Sequence, residues 1–520
     1  MIDSFSLYLG LKIIGLLLLA FLVKTLYDFV YKPWRNRVRF GKHQNVAMVD
    51  KFYPFLGDLA VINSNEEQKN SKFSHYIRES LSNKGYDLRL NQMGPETIID
   101  VCSIRALDEM EKLIPSKIDR SAQFGLPIGN LLDGCLGVIH SDENWKSRRK
   151  EMTKTIGINF CSKYIPMMIK TIDKVLQSCP LNKEIDLTHI FTSTTFEIIT
   201  KIFFGQDITD KMDKIEYVCP ISGKKSMLKF QEFYPKIAVD EFEAYIDPKG
   251  KIIPFLAKYK LIEPFKTNAR NVRTCYKALS DYLDTSLDKD SVYYILYSSG
   301  KFTKHECVMD ALMMLFAGFD TSSHLLSATI NLLKKNPEKH AKLMKELERY
   351  EITKMDEIPE SKLKSIFNDC DYLNHVSKEA MRMDNSTIQS VLYEVVEDCQ
   401  ITGVRLFKGE AIGMNIAYPH YDPNQWRRPE EFLPERFDPE NELFYKPGTK
   451  EARHPKSFIP FTFGIRNCLG QTLAKLEVKV ILARFLTKVE YEISKNDFEN
   501  NFRYSIYDVR SIFGTITSRN

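Results

Sequence analysis

FTFGIRNCLG, from Phe461 to Gly470, places a single cysteine between two glycines, two residues after an arginine and directly before an amphipathic run. The form of cysteine that binds a metal is the thiolate, which is favoured by a helix N-terminus and by nearby positive charge. Cys468 would have both neighbours, because Arg466 precedes it and the pattern predicts a helix from Leu469 to Leu486. The stretch therefore predicts a metal-binding thiolate.

The neighbours of Cys468 indicate what kind of metal group it meets. Gly464 and Gly470 let the backbone approach a flat ligand because neither has a Cβ, and Phe461 can shield the sulfur. Arg466 can face an anionic group on the same ligand. Zinc would need three further protein donors, whereas haem needs only one axial thiolate. The stretch favours haem, and an ordinary buried cysteine in a Gly-containing turn is the alternative.

The pattern F-x-x-G-x-R-x-C-x-G resembles the haem-binding signature of the cytochrome P450 superfamily, and three further segments agree with that family in its order. In KEAMRM, Glu379 and Arg382 resemble its ExxR pair, which lies on one face of a helix. Arg436, in PERF, would complete the family's Glu-Arg-Arg cluster. A solvated ion pair is the alternative for ExxR alone, whereas the resemblance implies a buried structural cluster.

The segment NWKSRRK resembles the family's W-x-x-x-R helix, with Trp145 and Arg149 about one helical turn apart. The resemblance implies that both face the haem propionates, and a core tryptophan beside a surface arginine is the alternative. Tyr393 stands where many members have an arginine that binds a propionate. Trp145, Arg149 and Arg466 would therefore have to hold the propionates, with the Tyr393 hydroxyl as a further candidate.

AGFDTS, from Ala317 to Ser322, lies in the middle of a long predicted helix, where glycine costs about 1 kcal/mol relative to alanine. Thr321 can also donate to the carbonyl four residues earlier, so a structural kink is one reading of this segment. It resembles the family's A-G-x-[DE]-T segment. The resemblance implies that Asp320 and Thr321 are catalytic residues that organise water and deliver protons to dioxygen.

The N-terminus has an apolar segment, Phe5 to Val23, with Asp3 before it and several basic residues after it. The positive-inside rule then leaves the rest of the chain in the cytosol. A cleaved signal peptide is disfavoured because no small-x-small site follows the apolar core. We expect a membrane anchor at residues 1–30 and a haem-thiolate cytochrome P450 domain at residues 31–520. Endoplasmic reticulum is the expected membrane. Membrane forms of the family usually carry a proline-rich hinge after the anchor, and this sequence departs from that pattern because only Pro33 precedes Pro54.

Composition indicates an ordinary folded protein of 520 residues, with 43% hydrophobic and 27% charged residues. A net charge of +5 is too weak to predict nucleic-acid binding. The ten cysteines form no CxxC pair, so we interpret nine of them as reduced thiols of a cytosolic protein.

The pattern predicts a mainly α fold with small β-sheets, the cytochrome P450 fold behind a single N-terminal membrane helix. Beside the helix that begins after Cys468, the predicted helices are Asp142–Ile156, Asp186–Phe204, Asn268–Leu287, Thr303–Leu333, Glu338–Tyr350 and Leu373–Met383. Strands are predicted at Thr387–Val396 and Gln400–Leu406, followed by a Pro-rich coil from Pro419 to Phe461.

The resemblance implies a monooxygenase with haem b, the Cys468 thiolate as axial ligand, and an apolar small-molecule substrate. The chain has no GxGxxG and no phosphate-binding loop, so electrons would come from NADPH through NADPH-cytochrome P450 reductase or a similar separate flavoprotein. Two other functions stay open. One is a haem-thiolate isomerase or dehydratase acting on peroxides, and the other is a non-catalytic haem or ligand-binding protein.

Two surfaces follow from this interpretation. Basic residues near Cys468 would form a docking face for the electron donor, namely Lys146, Arg148, Lys150, Lys475 and Lys479. The substrate pocket would be formed by Gln123 to Leu136, Leu312 to Phe319 and Ser386 to Leu392.

Overall fold

The computed structural model of the chain describes residues 4–58, 60, 85–121, 131–205, 208–285, 288–352, 355, 358–496 and 511–519. Within these ranges the chain is mostly helical, with small sheets, as the sequence predicts. Part of one predicted pocket wall, residues 123–130, lies outside the described residues.

The described helices are numbered α1 to α19 in chain order. The first of them are Ser4–Leu26 (α1), Lys32–Phe40 (α2), Ile104–Leu113 (α3), Glu143–Thr155 (α4), Ile158–Cys161 (α5), Ile165–Ser178 (α6), Leu187–Phe204 (α7), Ile208–Lys211 (α8), Phe230–Ile246 (α9) and Pro248–Ile252 (α10). The other helices are Pro254–Lys258 (α11), Phe265–Thr285 (α12), Val292–Ser298 (α13), Lys304–Lys335 (α14), Pro337–Arg349 (α15), Glu360–Asp369 (α16), Asp371–Met383 (α17), Ala417–Tyr421 (α18) and Gln471–Lys488 (α19).

The described strands form one larger sheet and three small ones. The strands are Val46–Ala47 (β1), Leu88–Met93 (β2), Glu96–Val101 (β3), Ile118–Asp119 (β4), Ile185–Asp186 (β5), Ile215–Val218 (β6), Lys225–Leu228 (β7), Tyr393–Val395 (β8), Cys399–Ile401 (β9), Val404–Leu406 (β10), Ala411–Met414 (β11), Val489–Asn496 (β12) and Ile512–Ser518 (β13). The six-stranded sheet has the order β1-β2-β3-β11-β8-β4. It closes one side of the cavity described below.

Helix α14 is the long helix that the sequence predicts, and it is buried along most of its length. Its first turn has the predicted capping box, in which Thr303 accepts from the backbone N–H of Glu306 and the Glu306 carboxylate accepts from the backbone N–H of Thr303. It packs along α7, where a Cβ at Gly318 would come within 3.1 Å of Ile199. Gly318 therefore permits close helix packing.

The predicted helices are all present with ends shifted by a few residues, but the strand predictions are wrong in detail. Of Thr387–Val396 only β8 is a strand. The predicted strand Gln400–Leu406 is the hairpin of β9 and β10 instead, because Thr402 and Gly403 both have positive φ and reverse the chain. Several helices were not predicted, among them α9, which contains Pro235.

The N-terminal apolar segment forms a helix that continues into the body of the protein. After α1, a π-helical turn at Tyr27–Tyr31 leads directly into α2, and Pro33 lies at the start of α2 without interrupting it. The amide of Asn36 donates to Thr97 on β3 at 3.1 Å. A helical stretch in this region is long and apolar enough to cross a membrane.

The two faces of the larger sheet differ in chemistry because strand side chains alternate. One face presents apolar residues such as Leu90, Ile99 and Ile412 to a buried core cluster. The opposite face of β2 and β3 presents Arg89, Asn91 and Asp100. The cavity lies on this polar face, since Asn91 and Asp100 both line it.

Candidate functional site

A cavity of about 690 Å³ lies between α14, α4, the loop before α19 and the larger sheet. Six of the eight residues predicted for the site line it. They are Phe461, Cys468, Arg466, Trp145, Arg149 and Thr321. The other two, Gly464 and Asp320, do not line it.

The sulfur of Cys468 faces this cavity from the turn before α19. The backbone N–H of Cys468 donates to the carbonyl of Phe461 at 2.9 Å, which closes the turn. Burial raises the pKa of the Cys468 thiol, and this rise is opposed by the backbone N–H of Gly470 and by the charge of Arg149. Cys468 has accessible surface and lines the cavity. A helix N-terminus and a positive charge are therefore both present, but the charge is that of Arg149 and not that of Arg466.

Gly464 is required by the backbone of the same turn. Its φ is +71°, in the left-handed region that side chains disfavour. A Cβ there would also lie 3.5 Å from the carboxylate of Glu111. The role predicted for Gly464, close approach of the backbone to a flat ligand, stays a prediction, and its positive φ shows that it also shapes the turn.

Arg466 is held by protein acceptors beside Trp145. It donates to the hydroxyl of Ser141 at 2.7 Å and to the carbonyl of Ile139 at 2.6 Å, and it pairs with Asp119 at 3.2 Å. Its guanidinium lies 4.0 Å from the centre of the Trp145 ring. Burial lowers the pKa of Arg466 to about 10, so it stays charged at neutral pH. Arg466 therefore gives this wall a buried positive charge.

Trp145 and Arg149 lie on α4, which begins at the N-cap Asp142. Trp145 is buried and lines the cavity, and its indole N–H donates to no acceptor within the described residues. Arg149 donates to the backbone carbonyl of Asn467 at 3.0 Å, next to Cys468. Helix α4 thus offers an indole donor to the cavity and fixes the cysteine turn through Arg149.

Sequence reasoning missed Arg120, which lies against Tyr393. Its guanidinium is 3.7 Å from the centre of the Tyr393 ring and donates to the carbonyl of Leu392 at 3.0 Å. Nε and Nη2 of Arg120 have no acceptor within the described part of the chain, and Arg120 lines the cavity. The Tyr393 side chain does not line it, and its hydroxyl is buried without a partner there. Arg120 therefore supplies the positive charge that Tyr393 lacks.

On α14, Thr321 lines the cavity and donates its hydroxyl proton to the carbonyl of Ala317 at 2.7 Å. This is the bond to the preceding turn that the sequence suggested, and α14 stays helical through it. The hydroxyl of Ser386 donates to the backbone carbonyl of Thr321 at 2.7 Å, which joins α14 to the segment after α17. Asp320 is partly buried beside the cavity wall.

The Glu-Arg-Arg cluster is present and buried behind the site. Arg382 binds both carboxylate oxygens of Glu379 at 2.8 Å, and Arg436 binds one of them at 3.0 Å. All three side chains have an exposed fraction of 0%. None of the three lines the cavity. The prediction of a buried structural cluster is confirmed.

The predicted basic docking face is wrong for two of its five members. Arg148 is buried and donates from Nε and Nη2 to the two oxygens of Asp310 at 2.8 and 2.5 Å. Lys479 is buried and donates to the carbonyl of Phe367 at 2.7 Å. In each case an acceptor inside the fold binds the cation, which a charge pattern in sequence does not reveal. Exposed members of the set are Lys146, Lys150 and Lys475.

The cavity fits a haem by the chemistry of its lining. One thiol faces it, and no group of three or more His, Cys, Asp or Glu side chains in the described ranges is placed to hold a metal ion by itself. Arg120 and Trp145 offer unsatisfied N–H donors of the kind that carboxylates bind. These features define a haem-thiolate protein, in which a macrocycle supplies the other iron ligands.

The comparisons agree with this class. The chain belongs to the cytochrome P450 family, since the family model "Cytochrome P450" matches residues 54–508. It is therefore a cytochrome P450 monooxygenase, with haem bound through a cysteine thiolate.

Individual relatives are distant. The chain is 28% identical to cytochrome P450 4V2 of Pongo abelii over 466 residues, which cover 85% of this chain and 83% of that protein. It is 26% identical to cytochrome P450 3A6 of Oryctolagus cuniculus over 371 residues, covering 69% and 70%. The fold is similar to that of the heme domain of a cytochrome P450DA mutant, with a TM-score of 0.65, 16% identity, and coverage of 91% and 98%.

Proposed function

We propose that this monooxygenase inserts one atom of dioxygen into an apolar organic substrate, using electrons from NADPH that a separate flavoprotein reductase delivers. The observation that most supports the proposal is the shared cavity. Cys468 and Thr321 line it from different elements, and much of the remaining wall is apolar, for example at Leu136, Phe316 and Leu392. An apolar wall stabilises an apolar substrate by removing its surface from water.

Haem b, when bound, supplies the activation of dioxygen and the transfer of one oxygen atom. The Cys468 thiolate would hold the haem iron, and Arg120 and Trp145 would bind its propionates. Arg149 keeps the cysteine turn in place through its bonds to Asn467.

Thr321 and Asp320 are the proposed proton-delivery residues. Because the Thr321 hydroxyl donates to the Ala317 carbonyl, its oxygen can accept a hydrogen bond from water in the cavity. Asp320 is the adjacent acid, and a carboxyl beside a water-binding hydroxyl can pass a proton to that water.

We also propose that α1 anchors the protein in the endoplasmic reticulum membrane, with the rest of the chain in the cytosol. From Tyr8 onward the apolar side chains of α1 are exposed, and a bilayer would cover them. Lys146, Lys150 and Lys475 are the exposed cations available for docking an electron donor.

The first test is the carbon-monoxide difference spectrum of the dithionite-reduced protein, beside Cys468→Ser and the control Cys275→Ser. Cys275 is buried and does not line the cavity. A strongly red-shifted Soret band in the wild type and the control, absent from Cys468→Ser, is expected. Bound haem without that band in the wild type would overturn the assignment of Cys468.

The second test adds a purified flavoprotein reductase, NADPH and isotopically labelled dioxygen to the holoenzyme with a panel of apolar substrates. One labelled oxygen atom in the product is expected. Conversion of a peroxide without reductant, and no labelled product with it, would favour the isomerase or dehydratase instead.

A further inference from the structure

The polar face of the larger sheet forms a hydrogen-bonded array at one wall of the cavity. Opposite residues on β2 and β3 place Arg89 beside Asp100. Arg89 Nε donates to the side-chain oxygen Oδ1 of Asn91 at 2.7 Å, and Asn91 Nδ2 donates to Asp100 Oδ2 at 2.6 Å. Gln389 Nε2, from the segment after α17, donates to the other oxygen of Asp100. Each bond fixes the orientation of the next group.

The charge state of Asp100 decides which way Gln389 points. Burial raises the pKa of Asp100 to about 6, against the hydrogen bond from Asn91 and the charge of Arg89. The carboxylate is therefore mostly ionised at pH 7 and can only accept. The NH₂ group of Gln389 must face it, which leaves the amide oxygen of Gln389 without a donor within the described residues. Gln389 lines the cavity, so this oxygen is available to a ligand there.

Asn415 offers the complementary group beside Gln389, since the two residues form an isolated β-bridge. The Asn415 side-chain oxygen accepts from the backbone N–H of Tyr418 at 2.8 Å, so its NH₂ group is the free end. This NH₂ donates to no acceptor in the described ranges, and Asn415 also lines the cavity. An acceptor and a donor therefore lie side by side on one wall.

Gly413 makes room for this arrangement. It lies opposite Asp100 in the pairing of β11 with β3. A Cβ at Gly413 would come within 3.1 Å of Gln389 Nε2 and 3.2 Å of its Cγ. An alanine would displace Gln389 from Asp100 without removing any polar group.

We propose that Gln389 and Asn415 form a substrate-binding subsite for a hydroxyl group on an otherwise apolar substrate. A hydroxyl donates one hydrogen bond and accepts others, so it can donate to the Gln389 oxygen and accept from the Asn415 nitrogen at once. An ether or a hydrocarbon leaves the Gln389 oxygen unpaired in the cavity, which weakens its binding. The inference rests on the proposed function, because it names the substrate class of that same cavity.

The test measures equilibrium binding to the haem-loaded protein through the substrate-induced Soret shift, without reductase. The probes are matched pairs of a long-chain or polycyclic alcohol and its methyl ether. Wild type is expected to bind the alcohols about tenfold more tightly than the ethers. Gln389→Met should bring the ratio near one, and Gly413→Ala should reduce it. Gln400→Met, a change at an exposed glutamine outside the cavity, should leave it unchanged.

If no alcohol binds wild type more tightly than its ether, or if Gln389→Met keeps the wild-type ratio, the subsite is wrong. The carbon-monoxide spectrum of each variant is recorded in parallel. A normal red-shifted band with no alcohol preference overturns only the subsite. A missing band in the wild type overturns the proposed function itself.

Discussion

Glu379 on α17 and Glu477 on α19 are both almost completely buried, yet their surroundings are opposite. Glu379 accepts hydrogen bonds from two arginines, Arg382 and Arg436, and from the backbone N–H of Leu433. Within the described part of the chain, Glu477 has no cation beside it and one of its carboxylate oxygens has no partner. Burial raises the pKa of Glu477 to about 8, against a smaller opposing effect of Ser322.

The difference separates two kinds of buried acid. A charge is stable in the interior only when hydrogen bonds and an opposite charge compensate its loss of hydration. Glu379 has that compensation and lies away from the cavity. Glu477 lines the cavity without it and is therefore mainly protonated at pH 7. The ionised Glu379 joins α17 to the segment that contains Arg436, whereas the mainly protonated Glu477 lies at the cavity wall.

Removing the charge of Glu379 should have the largest effect. Glu379→Gln leaves two buried arginines without their carboxylate, so we expect a loss of about 5 kcal/mol in the free energy of unfolding, together with lost haem. Chemical denaturation and haem content measure this. The matched control is Glu143→Gln, at the same spacing from Lys146 but 89% exposed, with an expected effect below about 1 kcal/mol. An equal loss of unfolding free energy in the two variants would contradict the stabilising role assigned to the buried Glu379 charge.

Glu477→Gln should change the pH dependence of stability. The folded-state pKa of about 8 lies above the ordinary 4.5, so the unfolded chain releases this proton first as pH rises. The stability that Glu477 contributes is therefore full below about pH 4.5 and is lost up to about pH 8. At pH 7 the glutamine variant should be more stable than wild type by about 3 kcal/mol. Parallel unfolding profiles for the two proteins between pH 4.5 and 8 would contradict this.

Arg436→Lys tests whether charge alone suffices in the Glu379 cluster. Arg436 also donates to the carbonyls of Arg427, Arg428 and Glu431, which a single ammonium cannot all reach. We expect a loss of about 2 kcal/mol by chemical denaturation. The control Arg428→Lys changes an exposed pair with Glu431 and should cost little. An unaffected Arg436→Lys protein would mean that the planar geometry is unimportant.

Ser322→Ala should have the smallest effect. The hydroxyl of Ser322 lowers the pKa of Glu477, so its removal should raise that pKa further. The measurement is the pH at which stability falls, compared with Ser327→Ala. Ser327 is a buried serine of the same helix that donates to Ser323. If the pH at which stability falls shifts equally in both variants, Ser322 has no specific effect on the pKa of Glu477.

Local patterns in the sequence sufficed for much of the site. The cysteine turn, the ExxR pair and the capped α14 each depend on residues within one helix or turn, where spacing alone decides which side chains meet. Predicting the cluster around Glu379 also required Arg436, which lies far along the chain and was indicated by the family resemblance.

Features that depend on distant pairing could not be predicted. Arg120 reaches Tyr393 because β4 pairs antiparallel with β8, with Asp119 opposite Glu394. The subsite at Gln389 likewise depends on β11 lying beside β3. Strand order across hundreds of residues is not encoded in local alternation, so neither group has a sequence signal of its own.

The helix runs without interruption from α1 through the π-helical turn to α2, so it fixes how the proposed anchor is rotated relative to the rest of the protein. A flexible linker would let the catalytic part rotate freely above a bilayer. A continuous helix instead makes the catalytic part rotate together with the anchor. Each residue of an α-helix turns the chain by about 100°. A single residue inserted after Val23 would therefore present a different side of the body to the lipid, while an insertion of seven residues would nearly restore the original side.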